Sequence, residues 1–378
     1  MRAASISRMR TRSDVIVIGA GIVGLMTARE LARAGLRVRV FERGESGREA
    51  TYAAGGILSP MPPWEASHAV TVMADWSRAR YAALVAELNE ETGIDGEWIE
   101  SGVLLFGSGP VEQALAWGRA TGRPVEVLDR EQIVAAEPAA GTQWAQALLF
   151  PDIAQVRNHR LAKALVASVR ELGVELQEQA EVRGFHLQGR RVAGVETKEG
   201  TAHADAIVLC AGAWSDILLR PWGGELAVHP VRGQMLWYEG EPGMLGRMLI
   251  DDAHYLIPRR DGVVIVGSTV EEVGFNKATT ADAAAELAAA AVRLCPRLER
   301  REPAGQWAGL RPGSVDGVPR IGAHPALDGL YVNAGHYRNG IVLAPASARL
   351  VSELIRGGST SFEPEDYAPR GARVAERI

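Results

Sequence analysis

A chain of 378 residues, 47% hydrophobic and 23% charged, carries enough apolar material for two packed domains. Its formal net charge of −5 excludes nonspecific nucleic-acid binding through a basic surface. Two cysteines, Cys210 and Cys295, exclude a disulfide framework, and eight scattered histidines without ligand spacing predict no metal.

In chain order, Met1 to Arg12 holds four arginines but no apolar core of signal-peptide length. It reads as a flexible extension, or as the product of an upstream start with Met9 the true one. Asp14 to Ile18 predicts a strand buried on both faces. Gly19, Gly21 and Gly24 follow at G-x-G-x-x-G spacing, and Leu25, Ala28, Leu31 and Ala32 recur with helical period. Gly35 is placed to cap that helix, and Arg37 to Phe41 is a second β-rich run ending at Glu42. Gly19 suits the tight turn, Gly21 lets the backbone approach a pyrophosphate, and Gly24 lets helix pack on strand. Ile22 and Val23 open the helix, whose free N–H groups attract phosphate. Glu42, 23 residues beyond Gly19 and followed by Arg43, is placed to accept ribose hydroxyls. Strand, glycines, helix, strand and acid in that order predict a dinucleotide site.

Beyond Glu42, the small residues Ala54, Gly55 and Gly56 let the backbone lie close to a flat or bulky ligand. Arg48 and Thr51 are donors nearby. Residues 70–92 and 158–172 read as helices, 99–106 and 173–176 as strands, and 182–197 as a β-meander. A buried strand over 204–212, holding Cys210 as a structural thiol, closes on Ala211-Gly212-Ala-Trp214. Alternating runs at 234–238, 254–257 and 263–266 predict a mainly antiparallel sheet. A helix over 281–295 follows, and a strand at 330–333 with a helix at 341–355 restores the α/β pattern. The predicted fold class is α/β (α+β taken as a whole). A Rossmann-like domain (13–90, 152–226, 318–365) is interleaved with a mainly antiparallel β-sheet substrate domain (91–151, 227–317), and 1–12 and 366–378 are flexible termini. Ligands are expected at the domain junction. No apolar run approaches ~18 residues, so no membrane span is expected and the chain reads as cytoplasmic.

These motifs combine with Ala54-Gly-Gly-Ile57, Leu209-Cys-Ala-Gly-Ala-Trp214, Gly309-Leu-Arg-Pro-Gly313, Asp316-Gly-Val-Pro-Arg-Ile-Gly322 and Gly335-His-Tyr-Arg-Asn-Gly-Ile-Val-Leu-Ala-Pro345. From Ser13 to about Ile355 the chain resembles the FAD-dependent D-amino-acid oxidase family, most closely its glycine oxidase branch associated with thiamine biosynthesis. The C-terminal block is the most specific part. The resemblance implies FAD rather than NAD, bound noncovalently, since neither cysteine lies where sarcosine oxidases attach theirs. It implies oxidative deamination of a small amino acid, with O2 reoxidising the flavin to give H2O2. Glycine would yield an imine that feeds thiazole synthesis or hydrolyses to glyoxylate and ammonia.

The resemblance assigns the substrate carboxylate to Arg311, assisted by Tyr255, with Arg338 at the site's edge. A planar guanidinium suits that task because it meets a carboxylate bidentately. Val182 matches a backbone contact to adenine. His336, Arg338, Asn339, Gly340 and Ile341 begin the last helix, whose free N–H groups can face the charge of a reduced flavin. No histidine–carboxylate base motif shows, so orientation and deprotonation during binding are left to prepare the amine. Ala253, Ile57 and Val270 depart from side chains found in relatives, which leaves glycine, sarcosine, D-alanine and D-proline open. Three other readings stay open: a D-amino-acid or hydroxyproline dehydrogenase passing electrons to a quinone or carrier, a flavin-holding scaffold subunit, and an NAD-dependent dehydrogenase. Homo-oligomerisation is also left open.

Overall fold

The computed structural model describes residues 12–107, 109–222 and 226–369. The chain enters on β1 (Arg12–Ile18), turns into α1 (Ile22–Arg33) and returns as β2 (Val38–Phe41). Helix α2 (His68–Thr92) leads out to a second sheet. There it lays down β3 (Val103–Phe106), α3 (Val111–Thr121), β4 (Glu126–Asp129), α4 (Arg130–Ala136) and β5 (Gln146–Phe150). Helix α5 (Asn158–Glu171) carries it back for β6 (Glu175–Gln177), β7 (Gly184–Gln188), β8 (Arg191–Thr197) and β9 (Gly200–Leu209). The second sheet resumes with β10 (Val228–Tyr238), β11 (Met248–Ile250), β12 (Tyr255–Pro258) and β13 (Val264–Gly267). Helix α6 (Ala281–Leu294) and strand β14 (Gly305–Ser314) complete it. Strands β15 (Arg320–Ala323) and β16 (Leu330–Ala334) rejoin the first sheet, and α7 (Gly340–Arg356) packs on it.

The first sheet has eight strands, with the path β15-β16-β9-β1-β2-β6 and the β7–β8 hairpin hung from β9. Pairing is parallel from β16 through to β6 and antiparallel at β15 and in the hairpin. Strand side chains alternate faces. Val15 and Val17 join the core under α1, α2, α5 and α7, whereas Ile16 and Ile18 join Phe185, Val192 and Val195 on the other side. Both faces are covered, which is why β1 reads as an unbroken apolar run. The second sheet runs β14-β10-β13-β12-β11-β3-β5-β4, antiparallel except where β11 meets β3. Its Leu104, Leu236, Leu256 and Val266 pack with Leu287, Ala291 and Leu294 of α6. Apart from Arg12, strands of the first sheet fall within 13–90, 152–226 and 318–365, and those of the second within 91–151 and 227–317.

Several local expectations need correction. The strand expected over 99–106 begins only at Val103, because Gly102 takes φ +69° and Ile99 makes an isolated bridge to Gln155. Residues 310–313, despite carrying a proline and a glycine, lie inside β14, where Arg311 faces Val231 across the ladder. Pro312 is tolerated there because β14 is an edge strand. Of the termini expected to be flexible, 1–11 and 370–378 lie outside the described residues. Arg12 opens β1, and buried Tyr367 donates to Ala69 O at 2.8 Å and accepts from Ile321 N at 2.7 Å, so that turn is held against the body. Among the described residues no helix is long and apolar enough to cross a membrane.

Candidate active site

The C-terminal ends of β1, β2, β9 and β16 open into one cavity of 1290 Å³, the place where open parallel sheets bind ligands. Ile18 and Gly19, Phe41 to Arg43, Cys210 to Trp214, and Asn333 to Ile341 all line it. The second sheet supplies the facing wall through Gly233, Met235, Ile250, Tyr255, Ser268 and Arg311.

The three glycines of the first turn have different reasons to lack a side chain. At Gly19 (φ +101°) a Cβ would stand 2.5 Å from Cys210 O, and at Gly24 it would stand 1.9 Å from Gly19 O. Gly19 is demanded by the chain leaving β9 and Gly24 by the packing of helix on the first turn, and Gly24 does not line the cavity. A Cβ on Gly21 would meet only Thr51 Oγ1 at 3.4 Å. No protein atom forbids a side chain there, so the space beside Gly21 belongs to the cavity. Ile22 N–H donates to Thr51 Oγ1 at 2.9 Å, tying the helix start to the small-residue segment. Glu42 is buried and accepts from Ala20 N at 2.8 Å and Gly44 N at 2.9 Å. A carboxylate offers about four lone-pair positions, so two remain for hydroxyl donors. Val182 is buried in the same wall.

At the mouth the Arg43 guanidinium lies 3.7 Å from the centroid of the Trp214 ring, which in turn meets Phe275 at 5.4 Å. Glu49 bridges Arg43 and Lys277, binding the segment after β13 to the nucleotide side. Arg48 does not line the cavity. Its side chain turns outward to Glu45 at 3.4 Å and over the Tyr52 ring, because that acid and that ring face solvent beside it.

Ala54, Gly55 and Gly56 line the cavity, with Gly56 at φ +82°. Behind them lies Arg259, which the sequence did not reveal. It is buried, and donates to Gln155 Oε1 at 2.7 Å, Val156 O at 3.0 Å and Gly55 O at 2.7 Å. Burial, reinforced by the charge of Arg157, lowers its pKa to about 10. Every one of those acceptors is neutral, so this arginine serves to fix the loop rather than to pair with an acid.

Arg311 is held from below. Its Nη1 donates to Arg232 O at 3.2 Å and Thr269 O at 3.1 Å, and its Nη2 donates to Ser268 Oγ at 2.6 Å. Of a guanidinium's five N–H groups, Nε–H and one on Nη2 remain without a protein partner among the described residues. Nε and Nη2 share one edge of a guanidinium, the side from which a fork can meet a carboxylate. Burial and then the nearby Arg338 hold its pKa below the ordinary arginine value, partly opposed by Tyr255. Tyr255 sits alongside, its hydroxyl 3.3 Å from Met235 Sδ. Arg338 lies over the Tyr337 ring at 5.3 Å. A histidine–carboxylate pair with no motif in the sequence does form in space. His254 Nε2 is 2.9 Å from Glu286 Oε1, a pair hidden from the sequence because strand and helix supply one member each. Arg293 approaches its other nitrogen at 3.4 Å, so this imidazole is engaged on both sides.

At the third corner, α7 starts at Gly340 with no side-chain cap on its terminus, after a short 3-10 turn at Tyr337–Asn339. Asn339, Gly340 and Ile341 line the cavity. His336 is buried, its Nε2 has no hydrogen-bond partner among the described residues, and burial pushes its pKa down to about 3. It is therefore a neutral imidazole at ordinary pH. Ile57 and Val270 line the same chamber.

The family profile of FAD dependent oxidoreductases (DAO) matches residues 14–354. The chain belongs to that family. It is similar to the glycine oxidase of Pseudomonas aeruginosa, 48% identical over 358 residues, covering 94% of this chain and 98% of that one. It also resembles the bifunctional protein ThiO/ThiG of Synechocystis sp., 36% identical over 96% of this chain but 54% of that protein. The crystal structure of glycine oxidase from Geobacillus kaustophilus superposes with a TM-score of 0.90 at 32% identity, covering 95% of this chain and 99% of that chain. As a member of the family the chain is an FAD-dependent oxidoreductase, and its cavity fits that group on independent grounds. Gly21 leaves an open cradle beside the helix start, Glu42 keeps free acceptor capacity, and the uncapped start of α7 faces the same space.

Proposed function

We propose that this oxidoreductase oxidises glycine or another small amino acid to its imine, with Arg311 as the substrate anchor. The observation that carries this reading is the pair of uncommitted N–H groups on a half-buried, cavity-lining arginine whose other three are fixed to the protein. A half-buried cation held by neutral acceptors favours an incoming anion, and a fork favours a carboxylate. Glu42 and the Gly21 turn would hold the ribose and pyrophosphate of FAD, and the Ala54–Gly56 segment would lie along its ring system. Bound FAD would supply the two-electron acceptor for oxidation of the substrate, with O2 as the final acceptor giving H2O2.

The chain's own residues then have defined tasks. Arg311 grips the carboxylate while Tyr255 limits the space beside it, fixing which face of the α-carbon turns inward. Arg338 adds positive charge at the rim. The start of α7 presents N–H groups toward the charge that accumulates on a reduced flavin. His254 is occupied by Glu286 and Arg293, so the amine gives up its proton to solvent water on entry rather than to this imidazole. The imine either enters thiazole formation or hydrolyses to glyoxylate and ammonia. Replacing Arg311 by alanine removes two charge-assisted hydrogen bonds, and KM for glycine should rise about 10²- to 10⁴-fold while FAD stays bound. Near-unchanged glycine and sarcosine kinetics in Arg311→Ala would reject the anchor.

A further inference from the structure

Helix α7 contains a proline in its second turn. Pro345 has no N–H, so the carbonyl four residues earlier, that of Ile341, loses its helical donor. That carbonyl lies in the first turn, among the residues that line the cavity. The phenol of Tyr81, on α2, donates to it. Ser77, one helical turn before Tyr81 and on the same face of α2, accepts from Ala346 N at 3.2 Å, the amide next to the proline. Both side chains are fully buried, and Tyr81 donates to no other group among the described residues. The ring also fills the α2–α7 core beside Met73, Val85 and Leu343, but packing alone needs no hydroxyl. Burial pushes the Tyr81 pKa up, so the phenol keeps its proton and remains a donor.

We propose that Tyr81 is a positioning residue for the flavin-facing start of α7. Its hydroxyl supplies the hydrogen bond that Pro345 withholds from the Ile341 carbonyl. Two consequences follow from that one bond. The first turn is held in register against α2 despite the interrupted ladder, which keeps the N–H groups of Gly340 and Ile341 at the cavity wall. The carbonyl's partial negative charge is also neutralised close to the terminus, so it does not weaken the positive end of the helix. The proposal rests on the reading that this terminus serves the reduced flavin.

The test uses the holoprotein and two properties of its bound FAD: the midpoint potential, and the affinity for sulfite, which adds reversibly to flavins and leaves negative charge on the pyrimidine ring. Tyr81→Phe keeps the ring and removes only the donor. It should retain FAD, lower the potential and raise the sulfite Kd roughly threefold to fivefold, the size of a helix-terminus charge effect. Pro345→Ala restores a backbone N–H to the same carbonyl, so the double variant Tyr81→Phe/Pro345→Ala should return both properties toward wild type. A purely packing role for Tyr81 predicts no change in the first variant and no rescue in the second. Wild-type potential and sulfite affinity in Tyr81→Phe overturn the proposal, as does a double variant no closer to wild type than the single one. If Tyr81→Phe alone does not fold, the double variant must; failure of both equally overturns it. Wild-type protein that binds no FAD would instead sink the functional reading, a result visible before any variant is made.

Discussion

Gly233 offers a sharp test of how finely Arg311 must be placed. A Cβ at this position would stand 2.3 Å from Arg311 Nη2, 2.4 Å from Nη1 and 2.5 Å from Cζ. Non-bonded heavy atoms settle near ~3.5 Å, so in Gly233→Ala the guanidinium must retreat by roughly 1 Å. Its three hydrogen bonds to Arg232 O, Thr269 O and Ser268 Oγ leave no slack in which to do so unchanged. Misplacing a positioning group by 1 Å costs on the order of 10²-fold in rate, or about 2.7 kcal/mol of transition-state stabilisation. Peroxide-coupled initial rates with glycine should therefore show kcat/KM down about 10²-fold, with FAD content unchanged. Gly184→Ala is the matched control, because its Cβ would meet only Glu196 Oε2 at an ordinary 3.6 Å. A Gly233→Ala enzyme within about threefold of wild type would refute the idea that this guanidinium's position governs turnover.

Gly24→Ala should destabilise the fold by about 1–3 kcal/mol, measured by urea unfolding of apoprotein, since its Cβ would press on Gly19 O. Gly21→Ala should leave apoprotein stability within about 0.5 kcal/mol yet weaken FAD binding at least tenfold; equal effects on both properties would mean the cradle is misread. His336 gives a pH signature. Its folded pKa of about 3 lies below the unfolded 6.5, so its contribution is complete above 6.5 and drains away as pH falls toward 3. The loss should be about 1.4 kcal/mol per pH unit. Unfolding free energies between pH 7 and 5 should fall more steeply in wild type than in His336→Asn, and parallel slopes would show that this imidazole is not the group responsible. His159, lowered to about 4 by burial and nearby arginines, steepens both proteins alike.

The nucleotide half of the site was legible because its physics is local. A strand, a turn that only glycine can make and a helix start occupy one continuous stretch, and Glu42 follows at the end of the next strand. The substrate half was legible only through family resemblance, since Tyr255, Ser268 and Arg311 come from three different strands or their ends. Leu310–Gly313 carries a proline and a glycine and reads as a turn, yet edge position in a sheet lets it stay extended. Arg259 and the His254–Glu286 pair left no signal in the chain, because each depends on groups more than thirty residues away in sequence. The link from Tyr81 to Ile341 spans still more chain, although Pro345 did announce that one carbonyl in α7 would need another donor. Arg48 shows the opposite error: a plausible donor in the sequence that a neighbouring acid and ring draw outward.

A flavin and a carboxylate-gripping arginine that share one chamber should act together on a small amino acid. Adding glycine, sarcosine and small D-amino acids in turn to the purified chain without oxygen, while recording its visible spectrum, tests this most directly. The protein should be yellow with one FAD per chain, bleached by at least one of these substrates and recoloured by air with one peroxide per turnover. A colourless protein that takes up no added FAD, or a bound flavin that none of them reduces, would contradict it.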